Sequence, residues 1–224
     1  MKLEGIIIDM DGTITKFNLD YAAARRRTLN ELERLGLRTP DMNEQSSLYL
    51  MLNKLRDQLE REKFLTIRTT LYRFFEEMEL AAAKNATLYP GAEETLRKLR
   101  SKPLKLGLVT NNSRTGTELT LRRLKLQASF DAIITRDDCE EMKPAKAPIV
   151  KILEKLNVAP EAAILVGDGA LDIMAAKAAG VRSVAVSTGP FPIERILNAE
   201  PDYLLGSVND LPTLIERLDL NDEL

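Results

Sequence analysis

Apolar positions along this chain follow two rhythms. Short, nearly continuous apolar runs occur at Gly5–Asp9, Lys105–Thr110, Phe130–Thr135, Ala162–Gly167 and Arg182–Ser187, with a shorter candidate at Asp202–Leu205. Unbroken β-rich runs are what strands show when both faces are covered. Between the later runs the spacing turns helical. Ile149, Ile152, Leu153 and Leu156 fall at i, i+3, i+4 and i+7, and Leu121 and Leu124 share a face. Strand–helix alternation of this kind predicts an α/β fold, a parallel sheet wrapped by helices.

The segment from Phe17 to Thr87 breaks the alternation. Leu29, Leu32 and Leu35 form a short stripe, Leu48, Met51, Leu52, Leu55 and Leu59 a second, and Phe64, Ile67, Leu71, Phe74 and Met78 a third. Pro40 and Asp41 punctuate between the first two. A simple crossover between parallel strands needs one helix. Three helices without a strand predict a helical cap over residues 17–87, inserted after the first core strand, with residues 1–16 and 88–224 forming the core.

Composition narrows the chemistry. The 224 residues contain no histidine and one cysteine, Cys139. That removes Ser-His-Asp and Cys-His catalysis, intramolecular disulfides and nearly every ordinary zinc or iron site. Any metal is then bound mainly by oxygen, which favours magnesium, calcium or manganese. A formal net charge of −2 shows no positive field for nucleic acid, and the basic run Arg25–Arg27 sits among acids in a helical pattern, as a solvated face does. No run reaches membrane-span length, and the N-terminus enters a strand without a signal-peptide pattern. The expectation is a cytoplasmic protein with neither nucleic-acid nor membrane partners; nothing in the sequence sets its oligomeric state.

In open α/β sheets ligands sit beyond the carboxyl ends of the strands. The first predicted strand ends in Asp9, followed by Asp11, Gly12 and Thr13; the second ends in Thr110, followed by Asn111, Asn112 and Ser113. Lys143 lies beyond the third, and the fourth ends in Gly167-Asp168, with Asp172 four residues further on. Acidic oxygens suit a hard cation, while hydroxyl, ammonium and backbone N–H groups suit a phosphate. Each feature alone has a plainer explanation: turn acids after a strand, a helix cap, a solvated lysine, an acid favouring a helix dipole. Together they describe a magnesium-dependent phosphoryl-transfer site.

Four segments in order carry a family resemblance: DMDGT at 9–13, VTNN at 109–112, Lys143-Pro144 in MKPAKAP, and GDGALD at 167–172. The sequence resembles the haloacid-dehalogenase-like (HAD) hydrolases, in the neighbourhood of the phosphoglycolate-phosphatase-like enzymes that carry a helical cap. "LYPGAEETLRKLR" and "AAKAAGV" resemble the flanking passages, so the likeness spans essentially the whole core. It implies a Rossmann-like, doubly wound sheet of order 3-2-1-4-5. It also implies Asp9 as nucleophile, forming an aspartyl-phosphate, and Asp11 as acid and then base. Residues i and i+2 of an extended strand lie on one side, so both carboxyls can flank one phosphorus. Magnesium would be held by Asp9, Asp168 and the backbone carbonyl of Asp11, with Asp172 orienting from behind. Thr110, Lys143 and the N–H groups around Asp11, Gly12 and Asn111 would hold the phosphoryl oxygens.

The implied activity is hydrolysis of a small phosphorylated metabolite, a phosphoglycolate-like ester or a sugar phosphate. Because Asp11 is present, ester hydrolysis is favoured over dehalogenation, where the leaving halide needs no proton. A phosphomutase with the same intermediate is the enzyme alternative. A phosphate-binding, receiver-like regulatory domain is the non-enzyme alternative, though it would lack both a cap and a GDxxxD segment. Lys146 departs from the resemblance, since many relatives have proline there.

Overall fold

The structure is a computed structural model that describes residues 2–16 and 18–221. Six parallel strands form one sheet: β1 (Gly5–Ile8), β2 (Lys105–Val109), β3 (Ala132–Ile134), β4 (Ala163–Gly167), β5 (Arg182–Val186) and β6 (Tyr203–Leu205). Their order is β3-β2-β1-β4-β5-β6, the expected order with the candidate sixth strand added at one edge. β1 is central, paired to β2 through Gly5↔Lys105 and to β4 through Gly5↔Ala163. The strand order reverses between β1 and its two neighbours, so the crevice beyond their carboxyl ends is where this fold binds ligands.

Alternation across β1 divides the core. Ile6 and Ile8 enter one hydrophobic cluster and Ile7 enters the other. The first cluster takes Leu96 and Leu99 of α4 (Ala92–Arg100), Leu121 of α5 (Arg114–Leu124) and Leu211, Leu214 and Leu218 of α9 (Leu211–Asn221). The second takes Ile149, Ile152, Leu153 and Leu156 of α6 (Ala147–Leu156), with Ala175 and Ala176 of α7 (Ala170–Ala179). A short helix α8 (Ile193–Leu197) precedes β6. Helices thus cover both faces, which is why the strands read as continuous apolar runs.

Between β1 and β2 lie α1 (Tyr21–Arg34), α2 (Leu48–Gln58) and α3 (Arg61–Ala83), with a hydrophobic cluster of their own. Asp20 caps α1 by accepting from the Ala23 N–H at 3.0 Å, and Ser47 caps α2 from Leu50 at 3.2 Å. Met142, next to Lys143 in the core, is buried in this cluster, so the insertion grips the loop that carries the lysine. Phe17, the expected first residue of the insertion, lies outside the described residues. None of the described helices is long and apolar enough to cross a membrane.

The third stripe differs from its expected register. Phe74 and Met78 are only half-buried; the buried line runs Phe64, Ile67, Leu71, Phe75 and Glu79. Successive steps of four residues drift round a long helix, and α3 follows its contacts with α1 and α5. At α5, Gly116 leaves room for Glu79: a Cβ on Gly116 would meet the Glu79 Cβ at 3.0 Å. Leu35, expected on the first stripe, sits past the end of α1 and is 39% exposed. The third strand begins at Ala132 rather than Phe130, because the Asp131 carboxylate turns back to accept the Leu106 N–H at 2.8 Å.

Candidate active site

The carboxyl ends of β1, β2 and β4 converge with the loop after β3. Asp9 follows β1, and its own N–H donates to the Val166 carbonyl at 2.9 Å, which locks it to β4. Lys143 reaches in from its loop. Its Nζ donates to Asp9 Oδ1 at 2.6 Å, to Asp172 Oδ1 at 2.5 Å and to the Val109 carbonyl at 3.1 Å. Three acceptors account for all three ammonium hydrogens. Asp172, in the first turn of α7, accepts the Gly169 N–H on its other oxygen at 3.2 Å. Thr13 Oγ1 stands 3.4 Å from Asp9 Oδ2. Asp9, Lys143, Asp168 and Asp172 are all buried.

The second acid of the DMDGT segment is held apart. Asp11 accepts from Thr15 Oγ1 at 2.9 Å and from Asn112 Nδ2 at 2.5 Å. Its carboxylate is thus outside the group of Asp9, Asp168 and Asp172, whose oxygens lie within 4.8 Å of one another. Burial pushes the Asp11 carboxyl up to about 6, against the hydrogen bonds from Thr15 and Asn112.

Three clustered carboxylates face one ammonium, and the titration behaviour follows. Burial, then the charges of Asp9 and Asp172, push Asp168 up to about 9. Burial also raises Asp9, to about 7, although Lys143 works in the opposite direction. Burial disfavours the charge of Lys143, yet Asp172 and Asp9 outweigh it and raise the lysine above its usual range. The acidic cluster is short of positive charge.

A divalent cation fits that deficit. Asp168 Oδ2 is buried without a hydrogen-bond partner, and a buried polar atom of that kind calls for a ligand. The space around it is kept open by glycines: a Cβ on Gly12 would lie 2.2 Å from Asp168 Oδ2, and one on Gly189 would lie 1.8 Å from it. Gly12 also has φ +88°, a conformation that side chains rarely adopt. An all-oxygen donor set suits magnesium or calcium. Asp172 has both oxygens engaged, which leaves Asp9 and Asp168 as the carboxylates best able to hold the ion.

One expected phosphate contact changes. The Gly12 N–H donates to the Thr15 carbonyl at 2.8 Å, so it is not free to hold a phosphoryl oxygen; the part of Gly12 is conformational and steric. The Asn111 side chain is spent on the main chain of Lys143, donating to its carbonyl and accepting its N–H, both at 3.0 Å. By contrast, the Asp11 and Asn111 N–H groups make no hydrogen bond among the described residues. Thr110 Oγ1 accepts the Asn112 N–H at 3.2 Å, so its own hydrogen remains to be donated.

Sequence reasoning missed several residues. Asn112, noted in the sequence only by its place after β2, holds Asp11. The loop after β5 brings Gly189 to Asp168 and Thr188, whose hydroxyl donates to the Gly12 carbonyl at 2.6 Å. The strand-end rule already pointed to that loop, since it lies at the carboxyl end of β5. From the insertion, Tyr21 faces the acids: burial and then the charges of Asp11, Glu79 and Asp9 push its phenol well above its usual range.

Comparison with known proteins bears on this geometry. The profile of a family described as haloacid dehalogenase-like hydrolase matches residues 6–186. The chain belongs to the haloacid dehalogenase-like hydrolase family. Among curated HAD relatives, pyrophosphatase PpaX of Bacillus mycoides (strain KBAB4) is 31% identical over 222 residues, covering 97% of this chain and 99% of that protein. Phosphoglycolate phosphatase of Shigella dysenteriae serotype 1 (strain Sd197) is 31% identical over 234 residues, covering 93% and 91%. A solved hydrolase from Pseudomonas syringae superposes with a TM-score of 0.73 at 22% identity, over 96% of this chain and 99% of that one, and shares the HAD fold. The chain is accordingly an HAD hydrolase.

Proposed function

We propose that this HAD hydrolase is a magnesium-dependent phosphatase that cleaves small phosphorylated metabolites in two steps, with the phosphoryl group carried on Asp9. The observation that carries the reading is Lys143 bonded at once to Asp9 and Asp172, beside an Asp168 oxygen with no protein partner. In the first step a carboxylate oxygen of Asp9 bonds to phosphorus in line as the bond to the leaving oxygen breaks, and Asp11 gives that oxygen its proton. In the second, Asp11 takes a proton from water, whose oxygen bonds to phosphorus while the Asp9–phosphorus bond breaks. Inorganic phosphate leaves and Asp9 is restored. A carboxyl near 6 can hold and release a proton at neutral pH, which suits Asp11 to both halves.

Lys143, the Thr110 hydroxyl and the N–H groups of Asp11 and Asn111 hold the non-bridging oxygens through both steps. Asp9, Asp168 and the Asp11 carbonyl would hold the ion, which when bound supplies positive charge that offsets repulsion between carboxylate and phosphoryl oxygens. The helical insertion acts as a cap that shields the first step from water, with Tyr21 on its inner side.

The names of the curated relatives support a compact, acidic substrate, phosphoglycolate or pyrophosphate, and a sugar phosphate is the third candidate. Purified protein is expected to release p-nitrophenol from p-nitrophenyl phosphate with magnesium and to stop on addition of a chelator. The three metabolites are then assayed for inorganic phosphate and for isomerised sugar phosphate. Phosphate release supports hydrolysis, isomerised product would make the protein a phosphomutase, and no turnover of any substrate would sink the proposal.

A further inference from the structure

Glu79 of α3 and Arg136, just beyond β3, form an ion pair across the boundary between insertion and core. Arg136 Nη1 donates to Glu79 Oε1 at 2.5 Å and Nη2 donates to Oε2 at 3.1 Å, a two-pronged geometry, and the side chains are only 2% and 1% exposed. Nothing in the proposed chemistry uses either residue.

Their hydrogen bonds reach the backbone that follows β2 at three points. Arg136 Nη1 also donates to the Asn111 carbonyl at 3.0 Å, and the Arg136 N–H donates to the Asn112 carbonyl at 3.1 Å. Glu79 Oε2 accepts the Ser113 N–H at 2.8 Å. The side chains of one buried pair therefore hold Asn111 and Ser113, the residues on either side of Asn112, while the main chain of Arg136 holds Asn112 itself. The same three lead into the site. Asn111 clamps the main chain of Lys143 from both sides, and Asn112 holds the Asp11 carboxylate. With its carbonyl taken by Arg136, Asn111 is left with its N–H as the main-chain group to offer a ligand.

We propose that Glu79 and Arg136 are positioning residues: the insertion sets the placement of Lys143, Asp11 and the Asn111 N–H through this pair. The inference rests on the roles of Asp9 and Lys143 proposed above. Stability alone is a poor reason for the pair, because exchanging a buried ion pair for well-packed apolar side chains is often neutral or stabilising. What leucine and methionine cannot supply is a rigid fork and two acceptor oxygens that hold peptide groups in place. A displacement of about 1 Å in such groups is enough to slow a reaction substantially.

The test compares wild type, Asp9→Asn, Arg136→Lys and the double variant Glu79→Leu with Arg136→Met, on p-nitrophenyl phosphate with magnesium. The double variant is expected to melt near the wild-type temperature, with kcat lower by about tenfold or more and KM changed by less than about threefold. Arg136→Lys keeps the charge but loses the fork, so its kcat falls between the two. A folded double variant, or Arg136→Lys, with wild-type kcat overturns the proposal. Should the double variant fail to fold, Arg136→Lys decides alone. A different failure is marked by wild type and Asp9→Asn being equally slow: that condemns the active-site reading itself.

Discussion

Lys143 has three hydrogens and three acceptors, so its position fixes Asp9 and Asp172 together. The consequence is sharpest at Asp9. Replacing it with asparagine leaves a similar shape but a far weaker nucleophile, and Asp9→Asn is expected to lower kcat by about a thousandfold or more. Circular dichroism should be unchanged. A variant within tenfold of wild type would remove Asp9 from its role. Gly189→Ala tests the ion's pocket from the opposite side. The added methyl group would fall on Asp168 Oδ2, so magnesium titration of the rate is expected to shift to about tenfold higher concentration or beyond. An unshifted titration would show that this oxygen is not near the ion.

Asp9 and Asp168 were legible in the sequence because each ends an apolar run, and Asp11, Lys143 and Asp172 because they lie in the segments beyond strand ends, where this fold gathers chemistry. Gly189 and Asn112 were harder to read. A glycine in a loop and an asparagine at a helix start each have a common local explanation, and only the neighbouring Asp168 or Asp11 gives them another. Glu79 was illegible on principle: a carboxylate within an amphipathic helix is normally placed in water, and its buried partner, Arg136, lies far off in sequence.

Among the elements, the register of α3 has the clearest energetic consequence. Phe75 is 3% exposed in the insertion's cluster, whereas Phe74 is half-buried and stacks against Arg27, whose Cζ lies 4.4 Å from the ring centre. Truncating a fully buried phenylalanine costs roughly 3–5 kcal/mol, from lost burial and the cavity left behind. Phe75→Ala is therefore expected to lower the urea midpoint strongly, and Phe74→Ala to lower it by less than half as much. The reverse order would restore the register read from the sequence alone. The strands were easier to place, since an apolar run covered on both faces admits no alternative register of buried and exposed positions.

For the molecule as a whole, the buried acids make stability depend on pH. Asp168 near 9 and Asp9 near 7 stand above the ordinary carboxyl value of 3.8, with burial as the first cause. Between those values the folded chain holds protons that the unfolded chain has lost. Stability of the metal-free protein therefore falls as pH rises from about 4 through about 9. A cation that binds only the folded form, and prefers ionised carboxylates, acts against this trend. Saturating magnesium is expected to raise the melting temperature more at pH 8 than at pH 5. An equal increment at both would place the ion elsewhere.

The sequence by itself determined the class of the sheet, its strands, the presence of a helical insertion and the acids and lysine that gather at the strand ends. Those follow from local periodicity and from the joint placement, at successive strand ends, of residues that singly have plainer explanations. Tertiary structure alone decided which face α3 buries, which main-chain N–H groups near the acids remain unbonded, and how the insertion is tied to the loops after β2 and β3. Each of those depends on a partner distant along the chain, and hydrogen-bond satisfaction in a buried site is a property of the assembled neighbourhood rather than of any segment.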